Sequence, residues 1–100
     1  MSYYKKKGKP YKRSDLGSFY MNAHPDCEAC GFPSQELHHI LSRRSGGPDE
    51  DWNWLALCKG CHILFHSMGR ASFCKRYPHL EAKIREACDR MGRVFDKEAK

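Results

Sequence analysis

The sequence predicts a small α+β domain, stapled by zinc, with helices flanking a two-stranded centre and a basic arm at the N-terminus. Three observations predict it. Two Cys-x-x-Cys pairs, Cys27 with Cys30 and Cys58 with Cys61, have the spacing of metal knuckles. Of two short apolar stretches, "LHHIL" at 37–41 reads as a strand and "WNWLAL" at 52–57 as a strand or an irregular apolar segment. Beyond Pro78, Leu80, Ile84, Ala87, Cys88, Met91, Val94 and Phe95 recur at spacings of three and four, the period of an amphipathic helix.

With 100 residues the chain makes one small domain, residues 14–100, behind a tail at 1–13. A core of that size is modest, so a metal clip is a natural supplement. Eighteen Lys plus Arg against twelve Asp plus Glu leave a net charge of +6. That balance favours a polyanionic partner, nucleic acid first and an anionic membrane surface second. No apolar run approaches the length that spans a bilayer, and no hydrophobic segment follows the N-terminal lysines as in a secretory signal. The expectation is a cytoplasmic protein whose six cysteines stay thiols or bind metal.

The elements follow in order. "MSYYKKKGKPYKR" is a basic arm in which Gly8 and Pro10 break regular structure. Lys5, Lys6 and Lys7 either solubilise it or contact phosphates. "SDLGSFYMNA" at 14–23 predicts a short helix with Ser14 as N-cap, weakened by Gly17. The turn-rich first knuckle precedes the strand at 37–41. "SRRSGGPDED" is a loop by composition, with Gly46, Gly47 and Pro48 as breakers. "WNWLAL" then runs into the second knuckle. "CHILFHSM" predicts a helix ending near Gly69, "RASFCKRY" a short helix stopped by Pro78, and 79–96 the C-terminal helix.

Paired knuckles let four thiolates complete the tetrahedron that Zn²⁺ prefers, so Cys27, Cys30, Cys58 and Cys61 predict a structural zinc site. Redox thiols and buried structural cysteines are the alternatives. Cys74 and Cys88 fall on apolar helix faces and read as small buried hydrophobes. Four of the six histidines, His38, His39, His62 and His66, sit inside or just beyond the clipped segment. His62 and His66, four apart on a helix, share a face and can bind one metal. Adjacent residues on a strand point to opposite faces, so His38 and His39 cannot share one environment. His24 and His79 stand beside prolines and read as surface residues.

The succession of Leu37-His38-His39-Ile40, Gly46-Gly47-Pro48, Asn53 and "LCKGCHILFH" resembles the HNH nuclease family. That family's pattern runs from Cys-x-x-Cys to a catalytic His on a strand, then a Gly-containing loop, an Asn, and Cys-x-x-Cys-His opening a helix. The match covers roughly residues 25–69. The resemblance implies a ββα-metal core, or His-Me finger, of two strands, a loop and a helix around a catalytic divalent cation. It makes His39 the general base, Asn53 the middle letter of the family name, and His62 the last letter and a metal ligand. His38 takes a position where many members carry Asp, and His66 joins His62 as a ligand. Imidazole in place of Asp suits Mn²⁺, Ni²⁺ or Zn²⁺ better than Mg²⁺.

The implied activity is hydrolysis of double-stranded DNA, by nicking or double-strand cleavage, with contacts mainly to the backbone. A His with a pKa near 6.5 accepts a proton from water at neutral pH. The cation stabilises the leaving 3′-oxygen. Asn53 holds the loop or the His39 ring. Arg43 and Arg44 either reach phosphates beside the scissile bond or are exposed loop charges. The implied setting is a bacterial cell, with phage or prophage origin, and a homodimer through the C-terminal helix would address both strands. The competing class is a non-catalytic zinc module that binds nucleic acid or serves a larger assembly, such as one that packages phage DNA. Such a module needs the cysteines and lysines but not the His pair, Asn53 and His62 together.

Overall fold

A computed structural model describes residues 13–95. Helix α1 (Arg13–Ala23) leads through the first Cys pair to strand β1 (Glu36–His39). A loop with two single 3₁₀ turns, Arg43–Ser45 and Asp51–Asn53, returns the chain to strand β2 (Trp54–Leu57). Three helices follow: α2 (Lys59–Met68), α3 (Arg70–Arg76) and, after a 3₁₀ turn at Pro78–Leu80, α4 (Glu81–Arg90). The architecture is α+β, as the sequence predicts.

The strands pair antiparallel, with Glu36 opposite Leu57, Leu37 opposite Ala56, His38 opposite Leu55 and His39 opposite Trp54. Alternation therefore puts Glu36 and His38 on one face of the sheet and Leu37 and His39 on the other. Every residue of β2 is buried, because both faces are covered. On one side α1 packs Tyr20 against Trp54 and Ala56. On the other, Leu55 and Leu57 join Phe65, Phe73, Ile84 and Cys88 from α2, α3 and α4. Cys74 and Cys88 are buried free thiols in that core, as expected of small hydrophobes.

Gly17, a weak point for a helix by propensity, faces the sheet across a tight gap. A Cβ there would lie 3.0 Å from the Leu37 side chain. Gly46 and Gly47 are required for different reasons. Gly46 has φ +91° and ends the first 3₁₀ turn, whereas a Cβ on Gly47 would lie 1.7 Å from the Leu41 carbonyl oxygen.

The C-terminal helix is shorter than the expected 79–96. Its α-helical part stops at Arg90 although the apolar spacing continues to Phe95. Gly92 (φ +65°) reverses the chain: its N–H donates to Asp89 O at 3.2 Å and the Arg93 N–H to Cys88 O at 2.8 Å. This is a Schellman stop, which a glycine permits without steric cost.

Candidate active site

The two knuckles close in the same way. The Cys30 N–H donates to Cys27 Sγ and the Cys61 N–H to Cys58 Sγ, each at 3.4 Å. All four sulfurs lie within 4.8 Å of one another, and Cys30 Sγ stands 3.6 Å from Cys58 Sγ. Sulfurs at tetrahedral corners around a zinc at about 2.3 Å are separated by roughly 3.8 Å, so the cluster is compatible with structural zinc. Burial pushes the Cys61 thiol up, and burial also opposes ionisation of Cys27, but backbone N–H groups bring that thiol down to about 7. Four thiolates this close need a dication to ionise together. Glu28, inside the first knuckle, fixes the cluster to the sheet. Its Oε2 accepts the Ala56 N–H at 2.8 Å and the Tyr20 hydroxyl at 2.5 Å.

A second group of ligand atoms comes from β1 and α2. One ring nitrogen each from His38, His62 and His66 falls within 4.8 Å of the other two. His62 Nε2 and His66 Nε2 are 3.2 Å apart, close to the roughly 3.3 Å expected of two imidazoles on one tetrahedral metal. His62 Nδ1 is engaged by the Glu36 carboxylate, which fixes the tautomer and turns Nε2 toward the other histidines. His38 is 1% exposed, and neither of its ring nitrogens has a hydrogen-bond partner. Its pKa is pushed down to about 2, first by burial and then by the neighbouring His62, His66 and His39, so the ring is neutral at physiological pH. A buried neutral imidazole without a partner is costly as a hydrogen-bonding group and well suited as a metal ligand. The donor set fits a divalent cation.

His39 lies on the opposite face of β1, at the strand's end. Asp49 Oδ1 is 2.7 Å from its Nε2, and the Trp54 indole N–H points at the same nitrogen from 3.2 Å. Nε2 cannot both donate to the carboxylate and accept from the indole. The nearer carboxylate holds the ring proton on Nε2, the Trp54 contact is then not a hydrogen bond, and Nδ1 keeps the free lone pair. His39 and His66 line one cleft of about 250 Å³, with Ser42, Ser45, Arg70 and Arg93 on its walls. A larger cleft of about 680 Å³, between α3 and α4, holds none of these histidines.

Asn53, fully buried, secures the loop and does not touch the His39 ring. Its Oδ1 accepts the Leu41 N–H at 2.9 Å, and its Nδ2 donates to Leu41 O and Pro48 O, each at 3.0 Å. Arg43 and Arg44 are exposed on the first 3₁₀ turn, and Arg43 Nη2 lies 3.8 Å from Asp49. Neither lines the cleft. Lys5, Lys6 and Lys7 lie outside the described residues. His79 is exposed as expected, whereas His24 stacks on the Tyr20 ring at 4.1 Å. Sequence reasoning missed Glu36, Asp49, Arg70 and Arg93. The acidic run after Pro48 was the available signal for Asp49, and nothing local marked the others.

Strand and helix histidines meeting over a two-stranded sheet, beside a four-cysteine cluster, define a small α+β protein with two candidate metal centres. Residues 27–67 match the family model for HNH endonuclease. No curated protein and no solved structure matches the chain. The family-model match directs the function toward nuclease or nucleic-acid chemistry. No helix among the described residues is long and apolar enough to cross a membrane.

Proposed function

We propose that the protein is a metal-dependent endonuclease that hydrolyses phosphodiester bonds of double-stranded DNA. The observation that carries this reading is the shared cleft of His39 and His66, which sets a carboxylate-oriented imidazole beside a three-histidine cluster. His38, His62 and His66 would hold the catalytic cation. When bound, such a cation supplies Lewis-acid stabilisation of a phosphoryl oxygen and of the leaving 3′-oxygen. An all-imidazole set favours Zn²⁺, Mn²⁺ or Ni²⁺ over Mg²⁺.

His39 accepts the proton of the attacking water at Nδ1. Asp49 accepts the hydrogen bond from Nε2–H, which stays on the ring, and stabilises the imidazolium that results. Glu36 keeps the proton of His62 on Nδ1. Asn53 carries no proton. It holds the loop that brings Asp49 to His39. The products are 5′-phosphate and 3′-hydroxyl ends.

The test is cleavage of supercoiled plasmid by zinc-loaded protein with added Mg²⁺, Mn²⁺, Ni²⁺ or Zn²⁺, for wild type and His39→Ala. Expected are nicked or linear products from wild type and a loss of at least about a hundredfold for the variant. Intact plasmid with every metal sinks the enzyme reading and favours a non-catalytic nucleic-acid module. A His39→Ala protein that cuts like wild type removes the base assignment.

A further inference from the structure

Arg70 and Arg93 stand on the walls of the cleft that holds His39 and His66, and both lie outside the family-matched residues 27–67. Chain reversal at Gly92 turns Arg93 back over the first 3₁₀ turn, where Nη2 donates to Ser45 O. Arg70, at the start of α3, donates from Nη2 to Val94 O at 2.6 Å. The two guanidiniums are thus tethered by backbone carbonyls. Among the described residues, neither forms an ion pair, whereas Arg43, Arg85 and Arg90 face Asp49, Glu81 and Glu86.

A guanidinium has five N–H donors, and one carbonyl, with the Cys88 sulfur as a further neighbour of Arg70, leaves several of them available. Arg70 Nε is moreover buried with no hydrogen-bond partner. Unmet donors and two guanidiniums without an ion pair among the described residues, on the wall of a small cleft, call for an anion. The non-bridging oxygens of a phosphodiester match the guanidinium fork, and Ser42 and Ser45 add hydroxyls at the rim.

We propose that Arg70 and Arg93 form a phosphate clamp that seats the nucleic-acid backbone in the cleft against His39 and His66. This inference rests on the nuclease reading and extends it: the segment after α4 completes the substrate site. The clamp reads charge and shape, not sequence.

The test is binding of a short fluorescein-labelled duplex to zinc-loaded protein, with no further metal added, across a salt series. Arg93→Ala is expected to weaken binding about tenfold and to lower the salt slope by about one. Arg93→Lys should keep the slope while losing part of the affinity, since the charge remains and the fork is gone. Arg70→Gln should resemble Arg93→Ala, and should it fail to fold, the exposed Arg93 decides alone. Lys75→Ala, on α3 and away from this cleft, removes the same charge and should bind as wild type. Wild-type affinity and slope in Arg93→Ala overturn the clamp and leave the nuclease reading standing. An equal loss in Lys75→Ala also overturns it, because binding then follows diffuse charge. Wild type that neither binds duplex nor cuts plasmid defeats the nuclease reading and the clamp with it.

Discussion

The side-chain amide of Asn53 grips the backbone of Leu41 at both of its polar groups, accepting from the N–H at 2.9 Å and donating to the carbonyl at 3.0 Å. It thereby extends the β ladder by one rung, just after Ile40 N–H has donated to Asn53 O at 2.8 Å. Removing the amide strands a buried N–H and two carbonyls. Asn53→Ala should therefore lose about 3 kcal/mol in urea unfolding. Asn53→Asp should fare no better, because a carboxylate cannot donate to Leu41 O or Pro48 O and buries a charge. A variant as stable as wild type would show that the amide does not hold the loop.

Asp49 is predicted to act through His39. Its removal should leave zinc content and the thermal transition near wild type, since it is on the loop and partly exposed. Plasmid cleavage by Asp49→Ala should fall at least about 10- to 100-fold, the loss seen when the carboxylate behind a metal-bound imidazole is removed and a lower bound for a general base. Asp49→Asn keeps an oxygen that can accept from Nε2 and should retain more activity than Asp49→Ala. Equal losses in the two variants would point to charge, not ring orientation, as the contribution.

What sequence disclosed and what it concealed follow from the range of each interaction. The knuckles, the His62–His66 pair and the His38–His39 alternation are set by spacings within one element, so residue order exposes them. Glu36, Asp49 and Arg93 act across the fold, on His62, His39 and Ser45. Their roles exist only once β1, the loop and the chain after α4 are assembled. The C-terminal helix shows the converse error. Apolar spacing runs on through Val94 and Phe95, but Gly92 stops the helix first. Beyond that stop the period no longer reports burial either: Val94, on the apolar spacing, is 58% exposed.

Zinc removal should undo the fold. The four-cysteine cluster joins the first knuckle to the start of α2, and a structural zinc site contributes roughly 10 kcal/mol or more to a folding domain at neutral pH. That rivals the whole stability of a chain this small, typically about 5–15 kcal/mol. Strong chelator, or Cys58→Ser, should abolish the cooperative melting transition seen by circular dichroism. Acid should mimic the chelator, since protons compete for every thiolate ligand and zinc affinity falls with pH. A sharp transition that survives complete zinc loss would assign the cysteines to packing.

His38→Phe separates the chemical role of that residue from its structural cost. Its pKa of about 2 in the fold lies below the ordinary 6.5 of an unfolded chain, chiefly because burial disfavours the charged ring. Between those values the unfolded chain binds a proton that the native one refuses. The contribution of His38 to stability is therefore complete above pH 6.5 and declines as pH falls toward 2, by up to about 1.4 kcal/mol per pH unit. Phenylalanine fills similar space beside Phe65, whose ring lies 4.2 Å away, and has no proton to gain. Measured without added catalytic metal, His38→Phe should match wild type within about 1 kcal/mol at pH 7.5. At pH 5 it should be the more stable by about 2 kcal/mol, the slope carried over the intervening 1.5 units. Its three-histidine cluster is broken, so plasmid cleavage should be lost at both pH values. Urea midpoints for the two proteins that fall in parallel with pH would show that His38 is not the residue that carries this acid sensitivity.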